Sequence, residues 1–435
     1  MPKVLIITYY WPPAGGSGVQ RWLKFTKYLR EFGWEPVIYT AEKAEAPGYD
    51  ENLLKEVPEG IEVLRKTVWE PYSLFRIFTG RKNQKFGAGL SSQGKSKWSF
   101  ANKLAIWIRG NIFIPDARMF WIRPSAKFLV KYLLSNSVDA IVSTGPPHST
   151  HLIAKRVAKK TGFPWLADFR DPWTNIDFFN DLNPSAHAVR RHKRLEKSVL
   201  STADCTVTVT PGSKPEFKEL GAKRIEVVEN GYDEKDFEES TSTLDQHFSI
   251  THVGTLTANR NCNLLWESIG KIAQSNPKFA EKLKLRFVGQ VDATVIESLK
   301  KYQLSEFCEF TGYLSHNDTV NYQQESQVLL LLVNNSPNAR SILTGKVFEY
   351  LAAKRPILAL GPSGGDVELL VNSTSSGVFV PFDSSSRVEE GLLKLWDWYQ
   401  KDWEEFNPQN IEKYSRRSLT QRIAILLNEI TAEKK

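Results

Sequence analysis

The sequence predicts an α/β protein made of two Rossmann-like, doubly wound domains with parallel sheets. Three observations carry this. Short apolar, β-branched runs alternate with amphipathic segments of helical period, as in chained strand–helix–strand units. The alternation comes in two series of similar size, parted by an acidic, Ser/Thr-rich stretch from Asp236 to Asp245. At 435 residues the chain also exceeds the size at which single hydrophobic cores usually stop growing.

The first series opens with Lys3 to Tyr9 (KVLIITY), a buried strand ended by Pro and Gly. Val19 to Phe32 follows with apolar residues at helical spacing and stops at Gly33, and Pro36 to Tyr39 is again strand-like. The alternation resumes with strands Val138 to Ser143, Pro164 to Asp168 and Thr206 to Val209. Between them lie helices His148 to Lys160, ended near Gly162, and Val189 to Ser201. In the second series, strands are expected at Phe248 to Val253, Leu283 to Val288, Cys308 to Thr311, Val328 to Val333, Ile357 to Leu360 and Gly377 to Phe379. Helices fall at Leu264 to Ala273, Asp292 to Tyr302, Asn317 to Glu325 and Gly345 to Ala353. The expected domains are 1–238 and 246–385, with helices over 386–435 packing back across them.

Hydrophobic residues at 41% and charged residues at 24% are globular averages, so the chain is expected to fold throughout. No run approaches 18 apolar residues and the N-terminal apolar run is too short for a signal peptide, which predicts a cytoplasmic protein. Cys205, Cys262 and Cys308 are far apart and lack C-x-x-C spacing, so they read as reduced core thiols rather than disulfides or zinc ligands.

The net charge of +8 is unevenly spread. Residues 76–131 hold Arg81, Lys82, Lys85, Lys95, Lys97, Lys103, Arg109, Arg118, Arg123 and Lys127 against a single acid, Asp116, with aromatics interleaved. Such a segment suits an anionic surface, such as phospholipid headgroups at the inner face of the plasma membrane or a lipid-linked diphosphate acceptor. The alternative is a solvated face over core aromatics. It contains no recognisable nucleic-acid recognition module, so nucleic acid is not expected as a partner.

Pro12-Pro13-Ala14-Gly15-Gly16-Ser17-Gly18-Val19-Gln20-Arg21 joins a strand to a helix N-terminus, where Gly16 and Gly18 let backbone N–H groups approach a phosphate or sugar. It fits the dinucleotide fingerprint poorly, because Arg21 stands at the third glycine position and the loop is long. A purely structural turn is the other reading. Lys346, in the first turn of the helix from Gly345, suits phosphate oxygens beside the positive helix end, and Glu349, one turn on, suits vicinal ribose hydroxyls. Both residue types also occur as ordinary surface residues at helix starts. Arg170 and Asp171, in Ala167-Asp168-Phe169-Arg170-Asp171-Pro172-Trp173, follow a strand at the edge where doubly wound domains bind ligands. Asp171 is a candidate to position or deprotonate an acceptor hydroxyl and Arg170 to steady phosphate charge; the alternative is a pair bracing the loop. His148, on the preceding strand-to-helix turn, is a cleft candidate or a capping or core histidine.

Taken together, these motifs resemble the family 4 retaining glycosyltransferases of GT-B fold, and within them the bacterial cell-surface polysaccharide branch. The resemblance runs from about Lys3 to Phe382. It rests on PPAGGSGVQR, on Asn230-Gly231-Tyr232-Asp233 with Phe237, on Gly254 followed by Arg260, on Gly312-Tyr313-Leu314 and on Lys346 with Glu349. It implies an interdomain active site and transfer of a sugar, with retention, from a UDP- or GDP-sugar to a glycan or lipid-linked hydroxyl acceptor. In this picture Gly254, Arg260 and Lys346 hold the donor diphosphate, Tyr313 cradles the base and Glu349 grips the ribose. No metal or cofactor is called for, since no D-x-D-like acidic pair accompanies the fixed cations. Two positions depart from the pattern: Thr255 stands where a first phosphate-binding Arg is usual, and Ser341 where the sugar-facing Glu is usual. A sugar-nucleotide epimerase of the same fold, and a non-catalytic protein docking on anionic surfaces, are the competing readings.

Overall fold

The computed structural model describes residues 1–46, 48–69, 100–238 and 243–434. The described chain divides into two compact units, Met1–Glu229 with Arg416–Lys435, and Asn230–Ser415.

The first unit is a seven-stranded, fully parallel sheet of β1 (Lys3–Ile7), β2 (Glu35–Ala41), β3 (Glu62–Lys66), β4 (Ala140–Gly145), β5 (Trp165–Phe169), β6 (Cys205–Thr208) and β7 (Ile225–Val227), ordered β3-β2-β1-β4-β5-β6-β7. Alternate side chains feed two cores. Leu5, Ile7, Tyr39, Ile141 and Ala167 face one side, and Val4, Ile6, Ile38, Val142 and Leu166 the other. A parallel strand buried on both faces needs no polar alternation, which is why these runs are continuously apolar. The chain moves from β1 outward to β3 and then returns beside β1 as β4, so the switch in direction lies between β1 and β4.

The second unit has a six-stranded parallel sheet of β8 (Phe248–Val253), β9 (Leu283–Val288), β10 (Cys308–Gly312), β11 (Val328–Leu332), β12 (Ile357–Gly361) and β13 (Gly377–Pro381), ordered β10-β9-β8-β11-β12-β13. Its switch lies between β8 and β11. In sheets of this kind ligands bind beyond the carboxyl ends of the strands at the switch.

All the expected strands form within a few residues, and β3 and β7 appear in addition. β3 carries Glu62, Arg65 and Lys66 and β7 is three residues long, so neither shows the apolar run of a central strand. The unit boundary differs from the expected one. It falls at 229/230, and the acidic stretch is structural at its end: Asp245 pairs with Arg286 at 2.8 Å inside the second unit. The tail also divides. The Ser385–Gln400 helix sends Val388, Leu392, Leu395 and Trp396 into one core with Phe248 and Phe279, whereas the Arg416–Ala432 helix packs Leu419, Ile423, Leu427 and Ile430 with Val19, Trp22 and Leu23 in the first unit.

Among the described residues no helix is long and apolar enough to cross a membrane. The three cysteines are free, with burial pushing the thiols of Cys205 and Cys308 up to about 12. Of the basic segment 76–131, residues 76–99 lie outside the described residues, and with them Arg81, Lys82, Lys85, Lys95 and Lys97. The remainder is of two kinds. Trp121 is buried, stacked on Tyr39 at 5.4 Å, and Arg118 lies over the Tyr9 ring; Leu104 and Trp107 of the Phe100–Asn111 helix stay exposed, as do Ile112 and Phe120.

Candidate active site

In the first unit the candidate residues gather at the β1/β4 switch. Gly16 has φ +95° and open space where a side chain would be. Gly18 plays a different part: a Cβ there would meet Tyr10 at 2.9 Å and Arg170 Nη1 at 3.2 Å, so the missing side chain lets Arg170, arriving from β5, lie against the start of the Ser17–Leu29 helix. Arg170 and Asp171 approach at 3.6 Å, with the Asp171 side chain 43% exposed, an ion pair too open to lock the loop.

The brace is another pair, one the motif reading did not single out. Arg21 is 1% exposed and Asp168 fully buried. Arg21 donates from Nε and Nη2 to the Asp168 carboxylate, with Nη2 at 2.9 Å, and from Nη1 and Nη2 to the carbonyls of Glu229 and Val228. Trp22 Nε1 at 2.6 Å and Thr144 Oγ1 at 2.9 Å donate to the same carboxylate. Burial alone would push the Asp168 carboxyl up; the Arg21 charge and these hydrogen bonds outweigh it and hold the group below the ordinary carboxylate range. This constellation ties the first helix, the ends of β4 and β5 and the end of the unit together. The signal in the sequence was Arg21 itself, a charge where a nucleotide-binding turn wants glycine.

His148 is 8% exposed and precedes the Ser149–Thr161 helix without capping it through its side chain. Its ring stacks on Trp173, centroids 4.5 Å apart and planes 1° from parallel. Burial first, then His151, His192 and Arg170, hold His148 well below the usual histidine value, so it is neutral at pH 7. Trp173 is pinned in turn. Its Nε1 donates to His192 Nδ1 at 3.0 Å and its backbone N–H to Glu196, which also accepts from Thr174 Oγ1 at 2.6 Å. Burial pushes the Glu196 carboxyl up to about 7.

The second unit gathers its candidates at the β8/β11 switch. Gly254, just past β8, has φ +93°, and a Cβ there would collide with Lys346 Nζ, so this glycine both makes the turn and leaves room for the lysine head. Lys346 enters from the first turn of the Gly345–Ala352 helix. Burial, then the nearby Arg260 charge, push its ammonium down to about 8 against the pull of Glu349. Arg260 is anchored from Nε to Asn334, just past β11, and from Nη1 to the Thr255 carbonyl at 3.1 Å. Glu349 accepts from Gln323 Nε2 at 3.1 Å, with burial pushing its carboxyl up. Gly254, Arg260, Lys346 and Glu349 therefore form one polar cluster. Tyr313 does not join it: it is 89% exposed at the end of the edge strand β10, two strands from β8. Ser341 lies in the turn before the Gly345–Ala352 helix. Among the described residues no group of three or more His, Cys, Asp or Glu is placed to hold a metal.

Residues 15–231 match the glycosyl transferase 4-like domain, and residues 233–410 match the glycosyl transferases group 1 family. The chain is a group 1 glycosyltransferase. No curated protein sequence matches it. Solved structures that resemble this glycosyltransferase include sucrose-phosphate synthase from Thermosynechococcus elongatus, with TM-score 0.61, 13% identity and all of both chains covered. Anabaena HepE, solved in complex with UDP and glucose, has TM-score 0.55 and 14% identity over 100% of this chain and 98% of its own. UDP-GlcNAc 2-epimerase from Methanocaldococcus jannaschii has TM-score 0.51 and 12% identity over 98% and 99%. At such identities the likeness establishes the GT-B class for this glycosyltransferase; sugar transfer follows from the family.

Proposed function

We propose that this glycosyltransferase moves a sugar, with retention at the anomeric carbon, from a UDP- or GDP-sugar to a hydroxyl of a glycan or lipid-linked acceptor in cell-surface polysaccharide or glycolipid synthesis. The carrying observation is the placement of Lys346 Nζ against Gly254 at a helix N-terminus beyond the β8/β11 switch, with Arg260 beside it. Two cations brought close enough for one to depress the other, beside a helix N-terminus, suit the two negative groups of a diphosphate. Glu349, one helical turn from Lys346, suits the ribose hydroxyls. These fixed cations take the leaving-group charge, so the transfer needs no metal. In the first unit Asp171 takes the acceptor proton, Arg170 steadies phosphate charge and His148 hydrogen-bonds the sugar or acceptor. The exposed Leu104, Trp107, Ile112 and Phe120 support contact with an anionic membrane surface at its cytoplasmic face.

A panel of UDP, GDP and their sugars in thermal-shift measurements tests the donor site, because a ligand of the native state raises the midpoint by mass action. A shift with a uridine or guanosine diphosphate that disappears in Lys346→Met is expected; no shift with any nucleotide rejects the reading. An epimer formed from UDP-sugar without acceptor would favour the epimerase instead.

A further inference from the structure

The turn after β4 and the first turn of the Ser149–Thr161 helix bring together two buried imidazoles, His148 and His151, each with a nitrogen near Gly145. His151 Nδ1 lies 2.8 Å from Ser143 Oγ, and Ser143 Oγ also accepts from Trp165 Nε1 at 2.9 Å. An indole N–H only donates, so the Ser143 hydroxyl hydrogen has to go elsewhere. Among the described residues the acceptor it meets is His151 Nδ1, which puts the His151 proton on Nε2. That Nε2–H is buried and has no hydrogen-bond partner among the described residues, and the same holds for His148 Nδ1. A Cβ on Gly145 would stand 2.6 Å from His151 Nε2 and 3.1 Å from His148 Nδ1, so both nitrogens look onto the Cα of one glycine. The ring centroids are 5.8 Å apart. Two buried nitrogens left unpaired destabilise a fold, and a water that bridges them removes that cost.

We propose that one buried water accepts from His151 Nε2–H and donates to His148 Nδ1, so that Ser143 and His151 lock His148 in its Nε2–H tautomer. The hydrogen-bond chain then runs one way, from Trp165 through Ser143, His151 and the water to His148. His148 becomes a donor at Nε2, suited to a sugar hydroxyl or a phosphate oxygen and unsuited to accepting a proton there. Its ring plane is set separately by the stack on Trp173. Burial keeps both rings neutral, with His151 pushed down to about 3. Ser143 and His151 are thus positioning residues; only their effect on turnover rests on the transferase reading.

The test uses the full chain labelled with ¹⁵N-histidine, long-range ¹H–¹⁵N correlation between pH 6 and 8, and His148→Gln and His151→Gln for assignment. Both rings are expected as neutral Nε2–H tautomers. Ser143→Ala should leave His151 and His148 as tautomer mixtures, and Ser143→Thr, which keeps the hydroxyl, should restore single forms. Gly145→Ala puts a methyl 2.6 Å from His151 Nε2 and 3.1 Å from His148 Nδ1, crowding the bridge, and should scramble His148 even if Ser143→Ala fails to fold. An Nδ1–H or averaged His148 in the wild type, or an unchanged spectrum in Ser143→Ala, overturns the proposal. In turnover, Ser143→Ala should lower kcat three- to tenfold with the donor KM unchanged and Ser143→Thr should recover it; equal losses in both variants also overturn it. Absence of any transfer by the wild type refutes the transferase reading and leaves the tautomers to be judged by the spectra.

Discussion

Asp168→Asn removes one charge and leaves the shape of the side chain. In the native fold the carboxylate accepts from Arg21, Trp22 and Thr144 with no exposure to solvent, and Arg21 is 1% exposed. The amide keeps some of the hydrogen bonds but leaves the guanidinium buried and uncompensated. Breaking a buried pair from one side costs about 3–5 kcal/mol, and 1 kcal/mol moves the midpoint of a domain of this size by about 2–4 °C. The first unit should therefore melt roughly 6–20 °C lower. The second unit contains neither residue, so its nucleotide-dependent thermal shift should persist. Calorimetry on Asp168→Asn, Arg21→Met and the double variant is the assay. The double variant, which buries no charge, should be markedly less destabilised than the two single changes combined. The native pKa of Asp168 is depressed, so its stabilisation is present above the unfolded value of about 3.9 and is lost as pH falls through the native one. A midpoint change under 2 °C for Asp168→Asn would refute the argument that this pair braces the unit.

Lys346 titrates near 8 in the free protein, and an anion stabilises its charged form, so UDP affinity should be full below pH 8 and decline up to tenfold per pH unit above it. Titration calorimetry from pH 7 to 9.5 checks this, with Lys346→Met binding about 10- to 100-fold more weakly and without the slope. Gly254→Ala places a side chain at φ +93° against the lysine head; it should cost about 1–2 kcal/mol of stability and displace Lys346, so both the second unit's midpoint and UDP affinity should drop in parallel measurements. Glu196 has a raised native pKa, near 7, so the stability it contributes is full below its unfolded value and is lost as pH rises through 7. Melting between pH 5.5 and 8 should show a fall of up to about 1.4 kcal/mol per pH unit, and Glu196→Gln should flatten it; a parallel slope in that variant would assign the effect to another group.

Read alone, the chain already disclosed its fold class, because continuous apolar runs such as KVLII and VLLLL and the amphipathic stretches between them are local patterns that short-range sterics and burial dictate. Lys346 and Glu349 were legible for the same reason: a helix start and one turn beyond it are local facts. The pairing of Arg21 with Asp168 was not, since 147 positions separate them and only the strand order β1-β4-β5 brings them together. The order of strands likewise decided that Gly254, Arg260 and Lys346 share one switch point while Tyr313 ends two strands away. Which imidazole nitrogen carries a proton is still further from the sequence. Side-chain period and capping act over a few residues, whereas burial, charge pairing and tautomer depend on what the topology folds against them.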